Sequence, residues 1–152
     1  MTTASTAFVA TALALAACLS TPLAAQAADG VVETVSVRAV ARFDFDRASI
    51  RPEDRDAILA EVGKMKDVTW QTVTATGYTD AVGRADYNKR LSARRANTVK
   101  AYLVGKGLMP AMIKAEGKAS AAPVADNDSE AGRAKNRRAE IEFQGVRVVA
   151  AK

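Results

Sequence analysis

Two side chains of opposite charge stand fifteen residues apart: Asp80 in Gly77-Tyr78-Thr79-Asp80, and Arg95 in Leu91-Ser92-Ala93-Arg94-Arg95-Ala96. A fixed carboxylate and a fixed guanidinium can close on each other as an ion pair. They can also grip a ligand that carries both an ammonium and a carboxylate. Arg95 is the odd residue of the two. At about 100° per residue, Leu91, Val99, Tyr102 and Leu103 form one apolar stripe of a helix, and Arg95 falls near its centre. Arg90 and Arg94 fall well off the stripe. A guanidinium drawn toward a buried face needs a carboxylate, supplied by the protein or by a ligand. Residue chemistry alone gives the structural ion pair and the ligand clamp equal standing.

The elements that must hold this pair can be read from periodicity. Val31 to Phe45 alternates, with Val35, Val37, Ala39, Ala41, Phe43 and Phe45 on one parity, which predicts a half-buried strand. Pro52, with acids after it, starts a helix that carries Ile58, Leu59, Val62 and Met65. Val68 to Tyr78 reads as a second strand, and Gly77 and Gly83 bracket the turn that holds Asp80. Asp86 is a candidate N-cap for a long helix from Tyr87 to Val104, which ends at Gly105-Lys106-Gly107. A short turn at Met109–Ile113 leads to a third strand over Ile113–Ala121. A polar loop from Pro123, a short helix over Ser129–Asn136 and a last strand over Arg138–Gln144 follow. Residues 146–152 read as a frayed tail.

This β-α-β-α-β-α-β order implies an α/β (α+β) two-layer sandwich: about four strands in a small mixed sheet, with helices on one face. Trp70, Phe43, Phe45 and Tyr102 read as core. Arg137 shares parity with Ala139, Ile141 and Phe143 and so belongs to the covered face. Arg138 shares parity with Glu140 and Glu142, as in a solvated charge ladder.

The chain has 152 residues, 49% hydrophobic and 26% charged, which is enough for one domain with a core. There is no histidine and a single cysteine, Cys18, so histidine acid–base chemistry and histidine metal sites are excluded. Residues 1–28 carry no charged side chain and contain an apolar run from Ala7 to Leu19. The run ends near Ala25-Gln26-Ala27, which reads as a signal segment over residues 1–27. Leu15-Ala16-Ala17-Cys18 also fits a lipobox, in which Cys18 would become the lipidated N-terminus; both readings lead out of the cytoplasm. The remainder divides into a lead-in and the start of the first strand at 28–41, a domain at 42–145 and the tail.

Four stretches carry a resemblance. They are Phe43-Asp44-Phe45-Asp46-Arg47-Ala48-Ser49-Ile50-Arg51-Pro52, Gly77-Tyr78-Thr79-Asp80-Ala81-Val82-Gly83, Tyr87 to Ala96, and Asn136-Arg137-Arg138-Ala139-Glu140-Ile141-Glu142. Together and in this order they resemble the OmpA-like peptidoglycan-binding domain of bacterial envelope proteins, over about Phe43 to Phe143. The resemblance implies non-catalytic binding of the peptide stem of peptidoglycan through diaminopimelate, in the periplasm, anchoring the wall to the outer membrane or to envelope proteins. It implies that Asp80 takes the ligand's ammonium and Arg95 its carboxylate. Asn88 and Arg137 would line the same pocket, with Asp46 at its approach. No cofactor is implied. Two departures stand out: Tyr78 where many members have histidine, and Ala119 where many have a second glycine. The competing reading is an envelope protein–protein adaptor in which Asp80 and Arg95 form a structural ion pair.

Other classes fit poorly. The segment from Lys89 to Lys100 is basic, but it lacks the aromatic interleaving of a nucleic-acid site. Asp44, Asp46 and Asp80 could be imagined as an acid–base set, yet no nucleophile or metal constellation accompanies them.

Overall fold

The computed structural model describes residues 30–150; the signal segment, Cys18 and the last two residues lie outside the described residues. The first strand, β1 (Gly30–Arg42), buries Val35, Val37, Ala39 and Ala41 and exposes the alternate positions, as its sequence alternation dictates. It pairs antiparallel with β4 (Arg138–Ala150) along its whole length, from Gly30 opposite Ala150 to Arg42 opposite Arg138. The expected frayed tail is therefore a strand: residues 146–150 satisfy their backbone groups against 30–34. On its other side β4 pairs antiparallel with β2 (Thr69–Gly77), which pairs parallel with β3 (Ile113–Gly117). The result is a mixed sheet in the order β1-β4-β2-β3.

A parallel pair requires a crossover. Here it is α2 (Ala85–Gly105), which lies on β2 and β3, while α1 (Pro52–Gly63) lies on β1. The short α3 (Glu130–Asn136) leads into β4, and Ser129 caps it by accepting from the Gly132 N–H at 3.0 Å. One core joins Phe43, Ile58, Val73, Val99, Leu103, Ile141 and Phe143, so the helices cover one face of the sheet, as expected. The other face is polar, with Arg38 opposite Glu142 and Thr76 opposite Glu140.

Three expectations need correction. Phe45 is 59% exposed, because β1 ends at Arg42 and the chain turns at Asp46 with φ 56°. The helix is shorter than its apolar spacing implies: α1 ends at Gly63, so Met65 lies beyond it, and Leu59 is exposed. Asp86 is not a cap: Arg84 holds that position, with no side-chain bond to the helix.

Glycine explains how closely α2 approaches the sheet. A Cβ on Gly77 would lie 2.0 Å from the Ser92 carbonyl oxygen, and one on Gly117 would lie 2.3 Å from the Ala93 nitrogen. Only hydrogen at both positions lets the middle of α2 rest on the ends of β2 and β3. The contact sets Arg95, one turn beyond Ser92, against the segment that follows Gly77. Ala119, in the departed glycine position, takes φ 49°, and its N–H donates to Ser92 Oγ at 2.9 Å.

Candidate functional site

Arg95 is buried, as its place on the apolar stripe predicts, while Arg94 faces solvent. The bonds that hold it come from main chain. Nε donates to the Arg47 carbonyl at 2.8 Å, Nη1 to Tyr78 at 2.8 Å and Nη2 to Asp44 at 3.2 Å. Its guanidinium carbon lies 5.1 Å from the Phe43 ring centroid. These bonds use three of the five N–H groups that a guanidinium carries and leave one on each terminal nitrogen. Burial lowers its pKa well below the ordinary guanidinium value, to about 10, with Asp80 opposing the shift and Arg137 adding to it. The group stays cationic at neutral pH.

Asp80 follows β2 and is also buried. One carboxylate oxygen accepts from the Val82 N–H at 3.1 Å, closing a turn over itself. The other accepts from Arg137 Nη1 at 3.1 Å. Asp80 and Arg95 therefore do not close on each other, and the ion pair assumed by the adaptor reading is not the one formed. Arg137, at the junction of α3 and β4, also donates to the Phe43 carbonyl at 3.3 Å and to Glu130 at 2.7 Å. Its burial pulls its pKa down, but the bonds to Glu130 and Asp80 outweigh this and leave it raised. The same bond holds the Glu130 carboxyl below its ordinary value.

All five residues expected from the sequence line one pocket of about 190 Å³: Asp46, Asp80, Asn88, Arg95 and Arg137. Their parts differ. Asn88 is a strut; its side-chain amide donates to the Val82 carbonyl at 3.0 Å and to the Asp80 carbonyl at 3.5 Å, holding the loop to α2. Asp46 sits at the exposed lip and accepts from the Tyr87 hydroxyl. Phe45, Val82 and Tyr87 complete an exposed apolar rim. Thr79 was not singled out by sequence reasoning. It lines the pocket with a buried hydroxyl that has no hydrogen-bond partner among the described residues.

Residues 42–137 match the OmpA family. The chain belongs to this family. It is 45% identical to outer membrane protein A of Bordetella avium over 69% of this chain and 54% of that protein. It is 41% identical to the peptidoglycan-binding protein ArfA of Mycobacterium tuberculosis over 65% of this chain and 30% of that protein. The chain thus spans about half, or less, of the curated relatives it matches. Among solved structures, the peptidoglycan-associated lipoprotein of Burkholderia pseudomallei superposes with a TM-score of 0.61 at 28% identity, covering 70% of this chain and 90% of that one.

Two further residues of this OmpA-family domain stand out: Arg138 departs from the sequence reading, and Asn136 had no role in it. Arg138 is 4% exposed and does not stand in a solvated ladder. Its guanidinium carbon lies 4.0 Å from the Tyr78 ring centroid, and it donates to the Ala122 carbonyl at 3.0 Å and to Glu140 at 2.8 Å. The loop after β3 folds over that end of the sheet, which strand parity does not encode. Asn136 accepts from the Val124 N–H at 2.8 Å and the Ala125 N–H at 3.1 Å, and its amide donates to Asn127 at 3.0 Å. Asn127 in turn accepts from the Ala81 N–H at 3.1 Å, so this chain of bonds ends at the residue beside Asp80. An Asn followed by Arg-Arg before the last strand was its one signal in the sequence.

Proposed function

We propose that this domain binds peptidoglycan without cleaving it, by gripping the free end of a diaminopimelate residue in the peptide stem. The observation that carries the reading is a single pocket that presents Asp80 and Arg95 unpaired with each other. A zwitterionic carbon needs such a pair. Its ammonium goes to Asp80, which Arg137 and the Val82 N–H hold in place. Its carboxylate goes to the two uncommitted N–H groups of Arg95, which the three backbone carbonyls orient beforehand. The unpartnered Thr79 hydroxyl gives the pocket one more polar contact. Asn88 fixes the loop and Asp46 borders the mouth. The relatives named for peptidoglycan binding or association support the same reading, with the cell envelope as its location. Export through residues 1–27, or lipidation at Cys18, would place the domain in the periplasm against the wall, joined to the outer membrane or to envelope proteins.

The test is co-sedimentation with purified sacculi, using wild type and Asp80→Asn. The amide keeps the shape and one acceptor for the Val82 N–H but removes the charge that meets the ammonium. Wild type should sediment with sacculi and the folded variant should not. A folded Asp80→Asn protein that sediments as wild type does would sink the proposal. Wild type that ignores sacculi but enriches an envelope protein would favour the adaptor reading, and release of soluble fragments from sacculi would point to an enzyme.

A further inference from the structure

One basic feature of the chain is not used by the pocket. Arg84 stands at the N-cap of α2 and Arg90 and Arg94 lie on the helix; all three are exposed. At a rise of about 1.5 Å per residue they span about 15 Å. Among the described residues none of the three is in an ion pair. Arg90 and Arg94 are one turn apart, a like-charge spacing that destabilises a helix unless an anion answers it. The Arg94 guanidinium carbon lies 6.0 Å from the Tyr87 ring centroid, so that ring orders one of the three cations.

Their placement relative to the pocket gives the stripe a direction. Gly83 and Tyr87 line the Asp80–Arg95 pocket and also a first surface groove with Arg84, Asp86 and Arg90. Tyr87 and Arg90 then continue into a second groove with Arg94 and Asn97. A chain leaving the pocket over Tyr87 runs onto three unanswered cations, with Asp86 the one carboxylate lining either groove.

We infer that this stripe is an auxiliary anion subsite for the same polymer, which receives the carboxylates of the peptidoglycan stem beyond the gripped diaminopimelate. The inference rests on the proposed function and extends it: the pocket selects the zwitterion, and the stripe adds affinity for stems held in the wall. Peptide stems carry free carboxylates close to the diaminopimelate, so a charge match is available without a second partner. Exposed pairs of this kind are weak singly and sensitive to salt.

The test compares wild type with Arg90→Gln/Arg94→Gln in three assays, with thermal melts verifying that both are folded. The probes are free meso-diaminopimelate, purified sacculi, and vesicles of phosphatidylglycerol in phosphatidylcholine. The double variant should bind free diaminopimelate as wild type does, yet lose about fivefold in affinity for sacculi at low salt, the size that two exposed ion pairs supply. That difference should shrink between about 50 mM and about 500 mM salt as screening grows. Sacculus affinity within about twofold of wild type at low salt, with free diaminopimelate still bound, would overturn the inference and leave the proposed function standing. Loss of vesicle binding with unchanged sacculus binding would assign the stripe to a lipid surface instead. Wild type that binds neither diaminopimelate nor sacculi would overturn both.

Discussion

Replacing Arg95 with alanine should cost the fold before it costs a ligand. The guanidinium satisfies the carbonyls of Arg47, Tyr78 and Asp44, which come from two different loops. Removing it orphans all three, at about 1–3 kcal/mol for each buried acceptor. The Tyr78 carbonyl is bonded deep in the interior, while water can reach the other two in part, so we take the total as about 3–6 kcal/mol. A domain of this size has roughly 5–15 kcal/mol in all. At roughly 3–5 °C per kcal/mol the melting temperature should fall by about 10–30 °C. Arg95→Lys retains the charge, but its donors radiate from one nitrogen and cannot meet three carbonyls arranged around a plane. It should recover no more than about half of the loss. Thermal and urea unfolding followed by circular dichroism would measure both variants. A melting temperature for Arg95→Ala within about 3 °C of wild type, or full recovery with lysine, would refute the reasoning. Failure of Arg95→Ala to bind sacculi then reports on the ligand only if the protein is shown to be folded, which is why Asp80→Asn is the sharper binding variant.

Gly77→Ala should destabilise by about 2–4 kcal/mol, because the new Cβ meets the Ser92 carbonyl at 2.0 Å; a urea midpoint equal to wild type would contradict the close approach of α2. Ala119→Gly should stabilise by about 0.5 kcal/mol, since the left-handed backbone costs alanine more than glycine's extra chain entropy costs the fold. A drop in melting temperature would refute it. The Glu130 carboxyl is held below its ordinary value of 4.5, chiefly by the hydrogen bond from Arg137. A depressed acid stabilises the fold above its unfolded pKa and loses that contribution as pH falls through the folded one. Stability should therefore be level above pH 4.5 on this account and decline below it. Glu130→Gln should show a shallower acid decline, and an acid unfolding curve identical to wild type would exclude this origin.

The anomalous helix position was legible from the sequence. Helical spacing alone put Arg95 on the stripe of Leu91, Val99 and Leu103, and alternation alone gave β1 its buried face, because both follow from periods built into the backbone. The motifs likewise brought Asp80, Asn88, Arg137 and Asp46 to one pocket. Periodicity states which way a side chain points but not what will cover it. Arg138 points to the open face of the sheet, yet the loop after β3 folds over it and Tyr78 stacks on it. Phe45 keeps the parity of Phe43, but the chain leaves the sheet before reaching it, and it ends at the rim of the pocket.

The partners of the two central charges were decided only by the tertiary structure. Three carbonyls hold Arg95, and they belong to irregular segments whose path no local pattern encodes. Asp80 is held by Arg137, 57 residues along the chain. The sequence by itself determined that an acid and a base are carried to one place. Only the packing of α2 on Gly77 and of α3 beside the pocket decided that they stand apart, each braced by other groups, because a charge taken from water is held by whatever donors and acceptors the fold brings within reach.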